Sequence, residues 1–543
     1  MSIGQTLQDR RALWAFGLGV IAVTIGVLLH LPMYWMGRMN GFALAGMPMD
    51  SGMLAGMGLI IGGLAVAAYG LLPPRVAEQM KAAQRITVSA PEDAPLSIAH
   101  WGLMAVLVLA LIIDVMKPAS LGFVMPGMVK EYGVPKATAS LVPFAALIGT
   151  VTGSIVWGII ADIYGRKASI LLSAVVFIGT SICGAMPSLT WNIGMCFLMG
   201  AGAGGMLPVT YALLAETMPS KHRGWALVLV GGLGAVGGYF AASGFSSLLV
   251  PTFSWRILWL INLPTGLLLV CLGGFIPESA KFLLSRGRGA EAHKVMARFG
   301  AQSRILAEGE DDPTEVIGHG HPHVAGQGAT LGVGPEPKLW TPGLVGRTAA
   351  LSIAAVAWGL INFGLLLWLP LDLVAKGYSI GVSSKLLAQS SLIAFPTVFL
   401  CAFLYSRWSS KWALVAMTAV SFAGLVWVLL LEGHMGGSPV FPVALLIVGS
   451  NGLLAILLPY ASESYPLKVR GRATGWVAAC TKGGGVLAQS VSIAALAPPL
   501  GVACIMIMAP IALALVLTVR FGVETRGLDL RDLEAAPLPQ PAE

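Results

Sequence analysis

The chain has 543 residues, of which 56% are hydrophobic and only 11% charged. That little polar side chain cannot cover a soluble globule of this length, so the composition places the protein in lipid. The net charge of +8, from 33 Lys and Arg against 25 Asp and Glu, lies in short loops between apolar runs and gives no ground for a nucleic-acid function.

Apolar stretches of about 20 residues, the helix length that crosses about 30 Å of hydrocarbon, recur along the chain. Two come first, near 12–31 and 50–72. The first follows Arg10 and Arg11 as a signal peptide would, but no A-x-A-type cleavage site follows it, so it reads as a retained helix. A linker completes residues 1–99. Six spans then fall near 100–126, 138–160, 169–186, 191–216, 225–249 and 256–275, making a first bundle over 100–276. Residues 277–347 begin charged and helix-like from Glu278 to Phe299, then turn acidic, Gly-rich and Pro-rich, which reads as an interfacial piece followed by a disordered connector. Six more spans, near 348–370, 386–405, 412–431, 440–462, 474–495 and 499–520, make a second bundle over 348–520. Residues 521–543 form a frayed tail. The expectation is an all-α membrane protein of fourteen spans with both termini on one side.

The loops say which side. One set carries Arg10, Arg11, Arg75, Lys81, Arg85, Arg166, Lys167, Lys221, Arg223, Arg407, Lys411, Lys468, Arg470 and Arg472. The other carries only Arg38, Lys130, Lys136, Arg256, Lys376 and Lys385. The excess marks the cytoplasmic side and places both termini there, in a cytoplasmic (inner) membrane. All six cysteines fall within expected spans, which argues against a disulfide framework.

The two bundles are copies. Glu216-Thr-Met-Pro219-Ser-Lys221-His-Arg223-Gly224 returns as Glu463-Ser-Tyr-Pro466-Leu-Lys468-Val-Arg470-Gly471, an offset of 247 residues. A repeat of that period in a hydrophobic chain is the pattern of secondary transporters built from two homologous helical halves.

Between the second and third spans of the first bundle runs Gly158-Ile-Ile-Ala-Asp162-Ile-Tyr-Gly165-Arg166-Lys167. It resembles the G-x-x-x-D-x-x-G-R-K loop of the major facilitator superfamily. Further segments carry the same resemblance: the repeated E-x-x-P-x-K-x-R-G, Pro277-Glu278-Ser279, Val523-Glu524-Thr525-Arg526-Gly527, and Trp358-Gly-Leu-Ile-Asn362-Phe363-Gly364 with Trp368-Leu-Pro370. The resemblance implies a major facilitator fold of two six-helix bundles, here preceded by two extra transmembrane helices, working by alternating access. The seventh core span lacks the paired glutamines of sugar porters, and its aromatic series is similar to that of aromatic-acid:proton symporters and organic-ion carriers. The fifth, Gly231 to Gly238, lacks the Gly-Pro pair of drug:proton antiporters, which favours uptake.

Ionisable residues at hydrocarbon depth cost about 2.5 to 3.5 kcal/mol each on insertion scales and point to function. Asp114 and Lys117 stand three apart on one helix face, and Lys482 lies beside Gly483-Gly484-Gly485 in the eleventh core span. Two cations against one carboxylate favour an anionic substrate, with Asp114 as the coupling group and Trp358, Asn362 and Gln389 lining the cavity. Aromatic-acid symporters often read D-G-x-D where this chain reads Asp114-Val-Met-Lys117, and Cys196 stands where relatives carry an Arg. Asp162, Arg166, Lys167, Glu216, Arg223, Glu463 and Arg470 are expected to form a charge latch between the bundles, asymmetric because Ser406-Arg407-Trp408-Ser-Ser-Lys411 lacks the Asp and Gly of the first copy. The same cations also serve as topology determinants.

Met33, Met36 and Met39, then Met47, Met49, Met53 and Met57, with His30 nearby, offer thioethers of the kind that bind Cu(I), although Met is also an ordinary filler. His319, His321 and His323 follow Glu308, Glu310, Asp311 and Asp312 and could bind zinc, or belong to a polar connector. No nucleophile and base stand in a recognisable spacing and there is no nucleotide loop, so the chain reads as no enzyme, without cofactor. The expected function is proton-coupled uptake of a small organic anion by a monomer in the lipid bilayer. The alternatives are a sugar, polyol or amine carrier of the same fold, or a copper-handling membrane protein centred on the Met-rich pair.

Overall fold

The computed structural model of the protein describes residues 10–72, 86–88, 95–285, 288–300, 303–305, 339–433, 439–465, 467–494 and 498–526. Besides two short helices of the connector, Ala280–Ser285 and Gly289–Arg298, fourteen helical segments run through them. They are α1 Arg10–Asn40, α2 Ser51–Leu71, α3 Ile98–Tyr132, α4 Lys136–Ala161, α5 Arg166–Ala185, α6 Leu189–Thr217, α7 Lys221–Phe253, α8 Ile257–Leu272, α9 Pro342–Ala375, α10 Ile380–Trp408, α11 Ser410–Leu431, α12 Val440–Ser464, α13 Leu467–Ile493 and α14 Leu500–Phe521. Among the described residues, 12 helices are long and apolar enough to cross a membrane, fewer than the fourteen spans expected. The other two are α8, shorter than the rest, and α13, whose sequence holds Lys468, Arg470, Arg472 and Lys482 among many glycines.

One short strand pair departs from the all-helical expectation. Ile86–Val88 (β1) pairs antiparallel with Ser303–Ile305 (β2), Ile86 opposite Ile305. Ile86, Val88 and Ile305 are β-branched and suit an extended pleat. The pair joins the segment after α2 to the connector between the bundles.

The duplication is visible in the packing. In the first half α7 stands fifth and α4 second; in the second half α13 stands fifth and α10 second. α7 packs on α10 and α13 on α4, so the halves meet through the same two positions twice. α3 also meets α9 across the boundary. Within the first half, α4 and α6 are pressed together through small residues: a Cβ on Gly149 would stand 2.0 Å from the Phe197 carbonyl oxygen. Such close backbone approach supplies the van der Waals contact that hydrocarbon solvent cannot.

The α1–α2 hairpin lies against α5, with Val23 and Ile60 beside Gly179. Its connecting loop is tied by polar groups to the first half alone. The Leu44 and Ala45 N–H groups donate to Glu131 Oε1 at 2.8 and 3.1 Å, Tyr34 OH donates to the Phe253 carbonyl at 2.6 Å, and Gly46 N–H to the Pro187 carbonyl at 3.1 Å. Glu131 also receives Arg256 Nη2 at 2.7 Å and Trp255 Nε1 at 2.8 Å. Arg256 is fully buried, and both ends of the guanidinium are used, Nη1 donating to the Met186 carbonyl at 2.7 Å.

Candidate functional site

The two halves bring one acidic and one basic side chain together at the depth of the hydrocarbon. Asp114 projects from α3 and is 5% exposed; its Oδ1 is buried with no hydrogen-bond partner. Lys482 projects from α13 and acts electrostatically on Asp114 from the other half. Its Nζ faces two aromatic rings of α9, at 6.0 Å from the Trp358 centroid and 5.1 Å from that of Phe363. Those rings meet edge to face at 5.7 Å, and Trp358 Nε1 is also buried without a partner. An ammonium over aromatic faces keeps part of its stabilisation after leaving water. The unpartnered carboxylate oxygen and indole N–H are groups a ligand can satisfy.

Backbone geometry sets this arrangement. Residues Leu360–Leu366 of α9 are wound as π-helix, so the N–H of Leu367 reaches back to the Asn362 carbonyl. Such a stretch displaces the side chains beyond it around the helix and is frequent at functional sites. Two carbonyls, one just before it and one within it, are taken up by side chains: Asn362 Nδ2 donates to Trp358 O at 3.1 Å, and Gln489 Nε2 donates to Phe363 O. α13 comes close enough to do this because glycines face glycines. A Cβ on Gly484 would stand 2.1 Å from the Val356 carbonyl oxygen and 3.1 Å from the Gly359 Cα. The Gly483-Gly484-Gly485 run therefore has a steric role beside Lys482.

Lys117 shares a helix face with Asp114 and acts on it electrostatically, but its hydrogen bonds go elsewhere. Its ammonium turns into α5, donating to Phe177 O at 3.1 Å with Thr180 Oγ1 at 3.4 Å, and lies against the Phe177 ring. Sequence spacing puts two Cα–Cβ bonds on one face, but a side chain of this length follows its acceptors. Gln389 is not brought to the cluster. It lies on the face of α10 shared with Val382, Ile393, Leu400 and Phe403, residues spaced by the helical period and all exposed. That face is the apolar outside of the bundle, so the cavity-lining expectation for Gln389 is corrected. Trp358 lies under the Lys482 ammonium, and Asn362 donates to the Trp358 carbonyl.

On the face of the molecule away from the chain's described ends, the halves are joined by paired polar groups. Ser140 Oγ of α4 meets Ser492 Oγ of α13 at 2.6 Å, and Ser246 Oγ of α7 meets Ser384 Oγ of α10 at 2.8 Å. All four are buried. Ser140 to Ser384 is an offset of 244 and Ser246 to Ser492 one of 246, so the two bonds are copies of one contact. Lys136 adds an ion pair to Asp372 at 3.6 Å, half-buried on both sides, and its Nζ lies 4.8 Å from the Trp368 ring centroid. These offsets fall short of the 247 of the repeated motif, so the motif's register does not single the serines out in the sequence.

The latch residues occupy the opposite face. Arg166 Nη2 pairs with Glu216 Oε1 at 3.1 Å, but both belong to the first half, so this ion pair braces one bundle and does not bridge two. The cross-half contact there runs from the start of α7 to Glu463 and Tyr405: a Cβ on Gly224 would be 3.0 Å from Glu463 Oε1 and from Tyr405 Cε1. Tyr405 OH and Thr525 Oγ1 both donate to Glu463 Oε2. Arg223, next to Gly224, belongs to this region. The Lys167 side chain is buried, and the side chains of Asp162 and Arg470 lie outside the described residues.

Each half also ends in an acid that caps its own third helix. Glu278 accepts from the N–H groups of Arg166 at 2.8 Å, Lys167 at 3.3 Å and Ser279 at 3.0 Å, and Gly165, at φ +106°, leaves room for it. Glu524 accepts from Ser410 N–H at 2.9 Å and Ser410 Oγ at 2.6 Å, and from Ser409 Oγ. A carboxylate at exposed N-terminal amides satisfies both hydrogen bonds and helix dipole. Burial pushes the Glu278 carboxyl up to about 7, against the pull of those amides and of Arg166. The Glu524 carboxyl is less buried, and its hydroxyl and amide donors hold it below the ordinary glutamate range against the effect of burial.

The Met row is divided. Met33 and Met53 are buried in the hairpin, whereas Met36 and Met39 are exposed. Among the described residues, no group of three or more His, Cys, Asp or Glu could hold a metal ion. His319, His321 and His323 lie outside the described residues.

Comparison with known proteins agrees with this architecture. The family model of the Major Facilitator Superfamily matches residues 104–489. The niacin transporter NiaP of Acinetobacter baylyi is 26% identical over 411 residues, covering 74% of this chain and 89% of that protein. The 4-hydroxybenzoate transporter PcaK of the same organism is 32% identical over 237 residues, 42% of this chain and 51% of that protein. The proton:xylose symporter XylE bound to 6-bromo-6-deoxy-D-glucose superposes with a TM-score of 0.60 at 17% identity, over 81% of this chain and 99% of that one. The chain belongs to the major facilitator superfamily and is a multi-pass membrane transporter.

Proposed function

We propose that the protein takes up a small organic anion, first of all an aromatic monocarboxylate, together with protons. The observation that carries this reading is the Lys482 ammonium of one half held over the Trp358 and Phe363 rings, with the buried, unpartnered Asp114 of the other half within its electrostatic reach. A carboxylate entering there gains the Lys482 ammonium and the free Trp358 N–H, and its ring gains the aromatic faces. Asp114, with an unpartnered oxygen between two cations, is the group we assign to carrying the proton. Lys117, held inside the first half, adds positive potential at short range. The names of similar proteins, transporters of niacin, 4-hydroxybenzoate and benzoate, support the substrate class.

Alternating access then requires the serine-paired face and the Glu463 face to open in turn. Charge placement assigns the Arg166 and Arg223 side, with both termini, to the cytoplasm, and we count α8 and α13 as spans to reach fourteen. Arg166, Lys167, Glu216, Arg223 and Glu463 act there by bracing each half and setting the contact at Gly224. The monomer holds a complete site.

Purified protein in liposomes, given radiolabelled benzoate or nicotinate under an imposed proton gradient, tests the reading. Accumulation should follow the gradient; Lys482→Ala should lower it at least tenfold, and Asp114→Asn should retain exchange but lose gradient-driven accumulation. Accumulation of xylose but of neither acid would overturn the anion assignment.

A further inference from the structure

Gln489 was not among the residues expected to matter, yet it is fully buried and both ends of its amide are engaged. Nε2 donates to Phe363 O, and Oε1 accepts from Trp368 Nε1 at 3.2 Å. Phe363 lies in the π-wound stretch, its ring 5.1 Å from Lys482 Nζ. Trp368 lies one turn and more beyond, and its indole is the platform over which Lys136 of the other half stands before pairing with Asp372. The amide therefore spans two places with different jobs. One wall of the Lys482 site rests on one end, and a cross-half closure on the other.

The winding explains why a donor is needed. Where a π-helical stretch returns to α-helix, one carbonyl loses its partner along the helix, and in hydrocarbon an unsatisfied carbonyl is costly. Asn362 serves the Trp358 carbonyl just before the stretch, and Gln489 the Phe363 carbonyl next to Asn362, whose own carbonyl takes the Leu367 N–H. Without Gln489 the stretch can relax to ordinary α-helix, which shifts the residues within it, Phe363 included, and rotates those beyond it relative to Lys482.

We infer that Gln489 is a positioning residue that holds the π-wound stretch of α9 in the shape that places Phe363 beside Lys482, and that joins this shape through Trp368 to the Lys136–Asp372 closure between the halves. The inference deepens the proposed anion site and rests on that reading only for the choice of ligand. It makes ligand affinity and closure of the serine-paired face depend on one amide.

The test has two readouts. Affinity for benzoate is measured on purified protein, and opening of the serine-paired face is measured by maleimide labelling of Ala139→Cys, a fully buried position next to Ser140, in a background whose six native cysteines are replaced. Gln489→Leu, which keeps bulk but loses both polar ends, should weaken benzoate binding about tenfold and speed labelling at least threefold. Trp368→Phe, which loses only the far link, should speed labelling to a similar degree while leaving affinity within about twofold. Gln489→Glu in its neutral form offers both a donor and an acceptor; it should restore both readouts at low pH and lose them as the acid ionises, a dependence added to the one the parent shows through Asp114 and visible in the labelling as well as in the affinity.

Affinity and labelling that move in step in all three variants would reduce Gln489 to general packing and overturn the inference. If the parent binds neither benzoate nor nicotinate, the anion reading fails by itself. The labelling arm then decides the link: faster labelling in the Leu and Phe variants, reversed in the Glu variant at low pH, supports it, and equal labelling refutes it.

Discussion

Removing one hydroxyl from each serine pair isolates the energy that holds one face of the transporter shut. In Ser140→Ala with Ser384→Ala, Ser492 and Ser246 lose their cross-half partners in a buried interface, whereas in the open state both would meet water. A neutral buried hydrogen bond contributes about 1 kcal/mol net, with the orphaned group adding to the loss. The pairs sit on different helix pairs, so their effects should add. A shift of about 2 kcal/mol changes the ratio of open to closed molecules about 30-fold. Either single variant should give about fivefold. The assay is maleimide labelling of Ala139→Cys from the serine-paired side, or a spin-label distance across α4 and α13. Labelling in the double variant equal to that of the parent would mean that the serines only fill space and that closure is set elsewhere.

The converse experiment pairs Ser246→Cys with Ser384→Cys. Oxygens 2.8 Å apart place the two Cβ atoms near disulfide range, so oxidation should arrest transport and reduction restore it; uninterrupted transport by the cross-linked protein would exclude separation at this contact. Glu216→Gln should cost at most about 1 kcal/mol, since its pair with Arg166 is partly exposed, and because both groups lie in one half it should leave labelling on either face unchanged. A melting temperature that is unchanged together with altered labelling would contradict that placement. For Glu278, a carboxyl raised from 4.5 to about 7 binds its proton more tightly folded than unfolded, so its contribution is fully present below about pH 4.5 and fades as pH rises through 7. Hydrogen exchange at the start of α5 should quicken over that window, and Glu278→Gln should flatten the dependence; an identical pH profile in the variant would assign it to other groups.

Much of this protein is decided locally and so was legible in the chain. Apolar runs must become helices, because lipid offers the backbone no other hydrogen-bond partners, and the helical segments fall where those runs lie. The copy of Glu216 to Gly224 at Glu463 to Gly471 announced two related halves, and the Gly158 to Lys167 loop announced the family. Charges in apolar surroundings drew attention to Asp114 and Lys482 for the same reason: burying them is costly.

Contacts between distant segments followed a different logic. Where Lys117 points is settled by a carbonyl on α5, sixty residues away, and Gln389 faces outward because the rotation of α10 is fixed by everything packed on its other side. The serine pairs, Gln489 and the Glu131 to Arg256 tie exist only once helices far apart in sequence are adjacent. Sequence determined which residues could not remain unsatisfied in lipid; tertiary structure decided which partners satisfy them, because direction and distance between helices are properties of the assembled bundle and of no single segment.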